Sequence, residues 1–184
     1  MVIPENTDAV RRRKAFTIAN VDCFVTPFAW LSVPFFLLLG IVCAIEVQSG
    51  RKFAEYLQAG IVYGLLLYLS NGLHSVGHVI AGKIVGASGG ALRVTSTFHV
   101  NYHQCDPAIC TRWTHIGRSL GGPLVNLLVG CAVLWLVDKT GPDWLVFLGR
   151  ANLAIGIWLL LPIPRLDGWV IWGELLGFRR RLAK

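Results

Sequence analysis

The sequence predicts an all-α polytopic membrane protein of about four transmembrane helices, with a small β-hairpin-like element between spans two and three. Three observations carry this. Hydrophobic residues make up 54% of the 184 residues and charged residues only 15%, a balance that soluble cores do not reach. Four apolar runs, 24–47, 57–85, 120–137 and 144–161, punctuate the chain. At ~1.5 Å per residue, runs of this kind cross or nearly cross a hydrocarbon core of ~30 Å. Finally, the Lys and Arg sit mostly between the runs, as in membrane proteins whose loops carry the charge.

The chain divides into a basic N-terminal segment (1–23), a membrane domain (24–178) and a basic tail (179–184). The first 22 residues are polar and carry Arg11-Arg12-Arg13-Lys14, which reads as a cytoplasmic anchor beside anionic headgroups rather than a cleaved secretory signal. The first span begins at Phe24. Pro27 falls at its start, and Pro34 lies deeper, where a proline kinks a helix. Arg51 and Lys52 occupy the connection to the second span, 57–85, which holds Asn71, His74 and His78 on one helical stripe. Gly64, Gly72, Gly77 and Gly82 narrow that helix for close approach by neighbours.

A polar interlude follows at 86–117. Ser88-Gly89-Gly90 is a turn, and Leu92, Val94, Phe98 and Val100 among Ser and Thr predict one or two short strands. The third span is entered through Gly121-Gly122-Pro123 and carries Asn126. Gly141-Pro142 marks the turn into the fourth span, which Pro162 and Pro164 end. Trp169–Phe178 is apolar but too short to span.

Charge sets the expected orientation. With the N-terminus inside, the inner side holds Arg11, Arg12, Arg13, Lys14, Lys83, Arg93, Arg112, Arg118, Arg165, Arg179, Arg180, Arg181 and Lys184. The outer side holds only Arg51, Lys52 and Lys139. The positive-inside rule then places both termini in the cytoplasm. The same layout puts His78 and Asp167 in the same half of the membrane. The net charge of +7 is explained by this asymmetry, and no basic face with nucleic-acid chemistry appears, so nucleic acid is not an expected partner. Membrane lipids and other integral membrane proteins are.

Two histidines four apart on a helix share one face and can share one metal ion. Histidine is costly in a bilayer, so His74 and His78 mark a functional site. The pair is similar to the zinc motif His-Glu-x-x-His, with Ser75 where the Glu would stand. In that motif the Glu is the general base that activates metal-bound water. A serine hydroxyl cannot take that proton at neutral pH.

With Leu166-Asp167-Gly168 preceded by Pro162-Ile163-Pro164, with Gly122-Pro123-Leu124-Val125-Asn126, and with Asn152 upstream of Asp167, the chain resembles the site-2 protease family of intramembrane zinc metalloproteases. The resemblance covers about residues 57–168. It implies that His74, His78 and Asp167 are the metal ligands and that Gly122, Pro123, Asn126, Asn152 and Gly168 occupy family-motif positions. It implies zinc as the cofactor, with three protein ligands and a fourth place open. The departure at Ser75 implies a relative that has lost its general base, a change that costs orders of magnitude in hydrolysis. Glu46, Glu55 and Glu174 are not placed to substitute.

The expected function is therefore that of a catalytically degenerate homologue serving as a structural or regulatory subunit of a larger membrane complex. The alternative is an active zinc-dependent intramembrane protease with an unrecognised base, or a variant inactivated by design at Ser75. Zinc content, and cleavage after His74→Ala, separate these readings.

Other residues carry weaker signals. His99 and His103, with His74 and His78, are spaced like the histidine boxes of membrane di-iron enzymes. Those sites need about eight histidines, and this chain has five. A lone histidine can also ligate haem or a chlorophyll-type pigment axially, and nothing in the sequence selects or removes that option. The five cysteines do not form a secreted disulfide pattern, and Cys105 and Cys110 lack a usual zinc spacing. Arg150, inside the fourth run, is close enough to its start to snorkel outward. Trp144, Trp169 and Trp172 suit the headgroup belt.

Overall fold

The computed structural model describes residues 13–18, 21–25, 29–48, 50–86, 90–94, 99–103, 111–137 and 141–177. Five α-helices dominate: α1 (Ser32–Val47), α2 (Phe53–Ile84), α3 (Arg112–Leu136), α4 (Asp143–Leu159) and α5 (Asp167–Leu175). A short 3-10 turn, Ala29–Leu31, leads into α1. The stretch Ala29–Val47, α2 and α3 are long and apolar enough to cross a membrane. The 17 residues of α4 lie at the lower edge of spanning length. The chain is a multi-pass integral membrane protein built almost wholly of helices.

Four strands, β1 (Arg13–Ile18), β2 (Val21–Val25), β3 (Gly90–Val94) and β4 (His99–His103), form one sheet in the order β1-β2-β3-β4. The expected hairpin between spans two and three is the antiparallel pair β3–β4. The sequence reading missed its extension by the N-terminal segment. There β1 and β2 pair antiparallel, and β2 runs parallel to β3 with Phe24 opposite Arg93. Phe24 therefore ends a strand instead of opening a span. Val21–Val25 is rich in β-branched and aromatic residues, which suit a pleated ribbon. Pairing with β3 also satisfies backbone groups that hydropathy does not see.

The helices begin at other residues than hydropathy alone would set. In α1, Pro34 sits in the first turn, where its missing N–H has no intrahelical acceptor. The reason for a mid-helix kink disappears; Pro27 lies outside the described residues. Helix α2 starts at Phe53, because the Glu55 carboxylate accepts from the Lys52 N–H (3.2 Å) and stops the first turn from fraying. Helix α3 starts eight residues before its apolar run. The Thr111 hydroxyl caps it by accepting from the Thr114 N–H at 3.3 Å. The polar turns that follow, with Arg112, His115 and Arg118, are helical without being apolar.

Helix α2 is central. It packs on α1 and α3, and α3 in turn packs on α4 and α5. These contacts are close because glycines face each other. A Cβ at Gly40 would stand 2.7 Å from the Gly64 Cα, and one at Gly77 would collide with the Gly121 carbonyl. Gly72 meets nothing within 4 Å, so it plays no such part. Aromatic packing fills the other end: Tyr63 of α2 stacks on Phe147 of α4 with centroids 3.8 Å apart. Near them Gln48 donates to the Tyr63 hydroxyl (2.9 Å) and to Asp143 (3.2 Å), which also pairs with Arg51 (3.3 Å). The outward faces carry exposed Leu38, Leu65, Leu69, Leu128, Trp135 and Trp158, as lipid contact requires. Arg150 is also exposed, consistent with snorkelling.

Candidate metal centre

Three elements bring the predicted ligands together. His74 and His78 lie one turn apart on α2. Asp167 is the first residue of α5, delivered by the turn that follows α4. Their ligand atoms all lie within 4.8 Å of one another. The His74 Nε2 is 3.2 Å from one Asp167 oxygen, the His78 Nε2 is 3.3 Å from the other, and the two Nε2 atoms are 3.0 Å apart. His78 is buried, and His74 and Asp167 are largely so.

The hydrogen bonds at the far side of each ring decide what this cluster is. The His78 Nδ1 faces the Arg118 carbonyl at 2.9 Å, a pure acceptor, so Nδ1 carries the hydrogen and donates. The His74 Nδ1 faces the Asn126 Oδ1 at 3.2 Å and donates likewise. In their neutral form both rings present Nε2 lone pairs to each other and to a carboxylate. The three acceptors then converge with no donor among them, an arrangement that a cation would satisfy. A tetrahedral zinc with ligands at about 2.0–2.1 Å separates its ligand atoms by roughly 3.3–3.4 Å, close to the spacings found. The donor set fits zinc: two imidazoles and one carboxylate, each imidazole fixed by an outer partner.

Two glycines give the ligands their places. A Cβ at Gly122 of α3 would stand 2.6 Å from the Nε2 of both histidines, so only glycine lets α3 pass this close to the rings. A Cβ at Gly168 would collide with the Leu160 and Leu161 carbonyls, so glycine seats the start of α5 against the end of α4. The Trp172 indole then donates to the Leu160 carbonyl at 2.9 Å; it ties these two helices rather than serving only as a headgroup anchor. Pro123 and Asn126 are fully buried beside Gly122 on α3, and Asn152 is fully buried on α4.

Just before Asp167, Arg165 adopts φ 77°, the only positive φ at a non-glycine among the described residues. The left-handed conformation costs an L-residue about 1–2 kcal/mol. Arg165→Gly should therefore raise stability, by up to about 1 kcal/mol after the extra freedom of the unfolded chain is counted. A higher midpoint in detergent unfolding is the expected readout. The sequence gives no sign of this strain.

Ser75 is 1% exposed, and its hydroxyl donates to the Asn71 carbonyl one turn back at 3.1 Å. The group at the base position is thus turned to its own helix. Glu46 is exposed, Glu55 caps α2, and no glutamate joins the triad among the described residues. His99 and His103 bound a strand, not a helix; Cys105 and Cys110 lie outside the described residues. Ser70, which the sequence reading passed over, joins the site through Asn152 (2.9 Å). A lone serine in an apolar helix carries no signal that could have singled it out.

No protein-family model and no curated protein matches the sequence. Among solved structures, the site-2 protease from Methanocaldococcus jannaschii is similar in fold, with a TM-score of 0.61 over 90% of this chain and 72% of that one, at 22% identity. Fold and comparison together define a polytopic membrane protein with a site-2-protease-like fold.

Proposed function

We propose that this chain is a catalytically silent relative of the site-2 proteases that retains a zinc site and serves as a structural or regulatory subunit of a membrane complex. The observation that carries this is Ser75: it stands beside a complete ligand triad, buried and bonded to its own helix. His74, His78 and Asp167 would hold the ion. In an active enzyme, such an ion acidifies a bound water and polarises a carbonyl. Here no described carboxylate other than Asp167, which would serve as a ligand, joins the site. The chain's own residues would still gain from the ion, because His74 and His78 of α2 and Asp167 of α5 would hold it in common. A metal bound only by the folded state stabilises that state by mass action. Both termini are assigned to the cytoplasmic side by charge.

The subunit role is tested by mild detergent extraction from native membranes, followed by sizing and mass spectrometry. A large species with partners at fixed stoichiometry is the expected result. A lone chain or a small homo-oligomer would contradict it, and cleavage of a membrane-embedded substrate that is lost on His74→Ala would establish the active-protease alternative instead.

A further inference from the structure

Behind His74 runs a buried chain of polar side chains that crosses three helices. Each link has a determined direction. The Ser70 hydroxyl gives its hydrogen to the Leu66 carbonyl at 2.8 Å. It must then accept from the Asn152 amide, 2.9 Å away. The same Asn152 nitrogen donates its second hydrogen to the Leu148 carbonyl, also at 2.9 Å. Two acceptors thus fix which end of the Asn152 amide is nitrogen. Its oxygen can only accept, and it does so from the Asn126 nitrogen at 3.2 Å. Asn126 is oriented in consequence, so its oxygen faces the His74 Nδ1 at 3.2 Å. Asn126 and Asn152 are fully buried and Ser70 is 1% exposed, so water does not compete for these bonds.

We propose that Ser70, Asn152 and Asn126 are positioning residues that set the tautomer of His74, holding the hydrogen on Nδ1 and the lone pair on Nε2. The two terminal carbonyls, of Leu66 and Leu148, are helix backbone and cannot reverse. An amide flip at Asn152 would put its oxygen against the Leu148 carbonyl, and a flip at Asn126 would set two amide oxygens face to face. Neutral imidazole would otherwise distribute its hydrogen between both nitrogens. His78 reaches the same tautomer by a different route, directly from the Arg118 carbonyl. The two ligands are thus pre-set independently, one by backbone and one through side chains from α2, α3 and α4. The consequence for metal rests on the zinc reading above; the tautomer itself does not.

Histidine-selective 15N spectra of the full chain, stripped of metal by chelator above the histidine titration range, test this. In the wild type both His74 and His78 should show the Nδ1–H tautomer. In Asn152→Leu, where Asn126 is released, His74 should become a mixture while His78 keeps its signature. Asn126→Leu should do the same. On reloading with zinc, both variants should bind about 10–100-fold more weakly, the usual cost of an outer partner. Three outcomes would overturn the proposal. One is an Nε2–H His74 in the wild type, another an unchanged His74 in the variants. The third is loss of both signatures together in both variants, which would make the asparagines general helix-packing residues. If the wild type bound no zinc, the metal reading would fail, yet the spectra would still decide the tautomer.

Discussion

Asp167→Ala should abolish zinc binding, taking the purified protein from one ion per chain to none. The two imidazoles would remain 3.0 Å apart with their lone pairs opposed, and the only negative charge at the site would be gone. Loss of an outer partner costs about 10–100-fold in metal affinity, so loss of a direct ligand should exceed that range. The effect should extend to the fold, because Asp167 opens α5 and the ion would join α5 to α2. In the zinc-loaded wild type the unfolding midpoint should rise with zinc concentration, and in the variant it should not. Metal analysis and detergent unfolding at several zinc concentrations check both parts. A variant that kept its ion would remove Asp167 from the ligand set.

Gly122→Ala should have nearly as large an effect without replacing a ligand. The added methyl carbon would stand 2.6 Å from the Nε2 of both His74 and His78, so it would press into the space where their lone pairs converge. Either α3 retreats from α2 or the rings turn away, and both break the ligand geometry. Retreat would also open the Gly77–Gly121 approach formed by the neighbouring residues, where backbone meets backbone. Overpacking of this kind costs about 1–3 kcal/mol in stability. The metal affinity should fall by more than the outer-partner range, on the order of 100-fold or more. Zinc titration monitored by isothermal calorimetry, with unfolding measured on the metal-free protein, separates the two contributions. Unaltered affinity would show that α3 moves freely at this point.

These effects trace back to residues of uneven legibility. His74 and His78 announce themselves through spacing on a helix and through their cost in a bilayer, and Leu166-Asp167-Gly168 through its match to a family pattern. Their convergence was therefore expected. The reason for Gly122 was not: a glycine in a membrane helix reads as helix packing, and only the fold shows two imidazoles against it. Asn126 and Asn152 were visible as motif positions, but their hydrogen-bond direction depends on the Leu66 and Leu148 carbonyls, which are the same in any sequence. The N-terminal strands were obscured because Phe24 and Val25 look like the start of an apolar run, and their partners lie some 70 residues away in β3. The early start of α3 was hidden for the opposite reason. Its first two turns are polar, so hydropathy ends where the helix does not.

A zinc site preserved beside a missing base is tested most directly by native mass spectrometry of the wild-type chain, purified without chelator. The expected result is one zinc per chain that is removed by chelation and restored by added zinc. A chain that carries no ion and takes up none when zinc is supplied would contradict it, leaving His74, His78 and Asp167 joined by a proton on an imidazole instead of a metal.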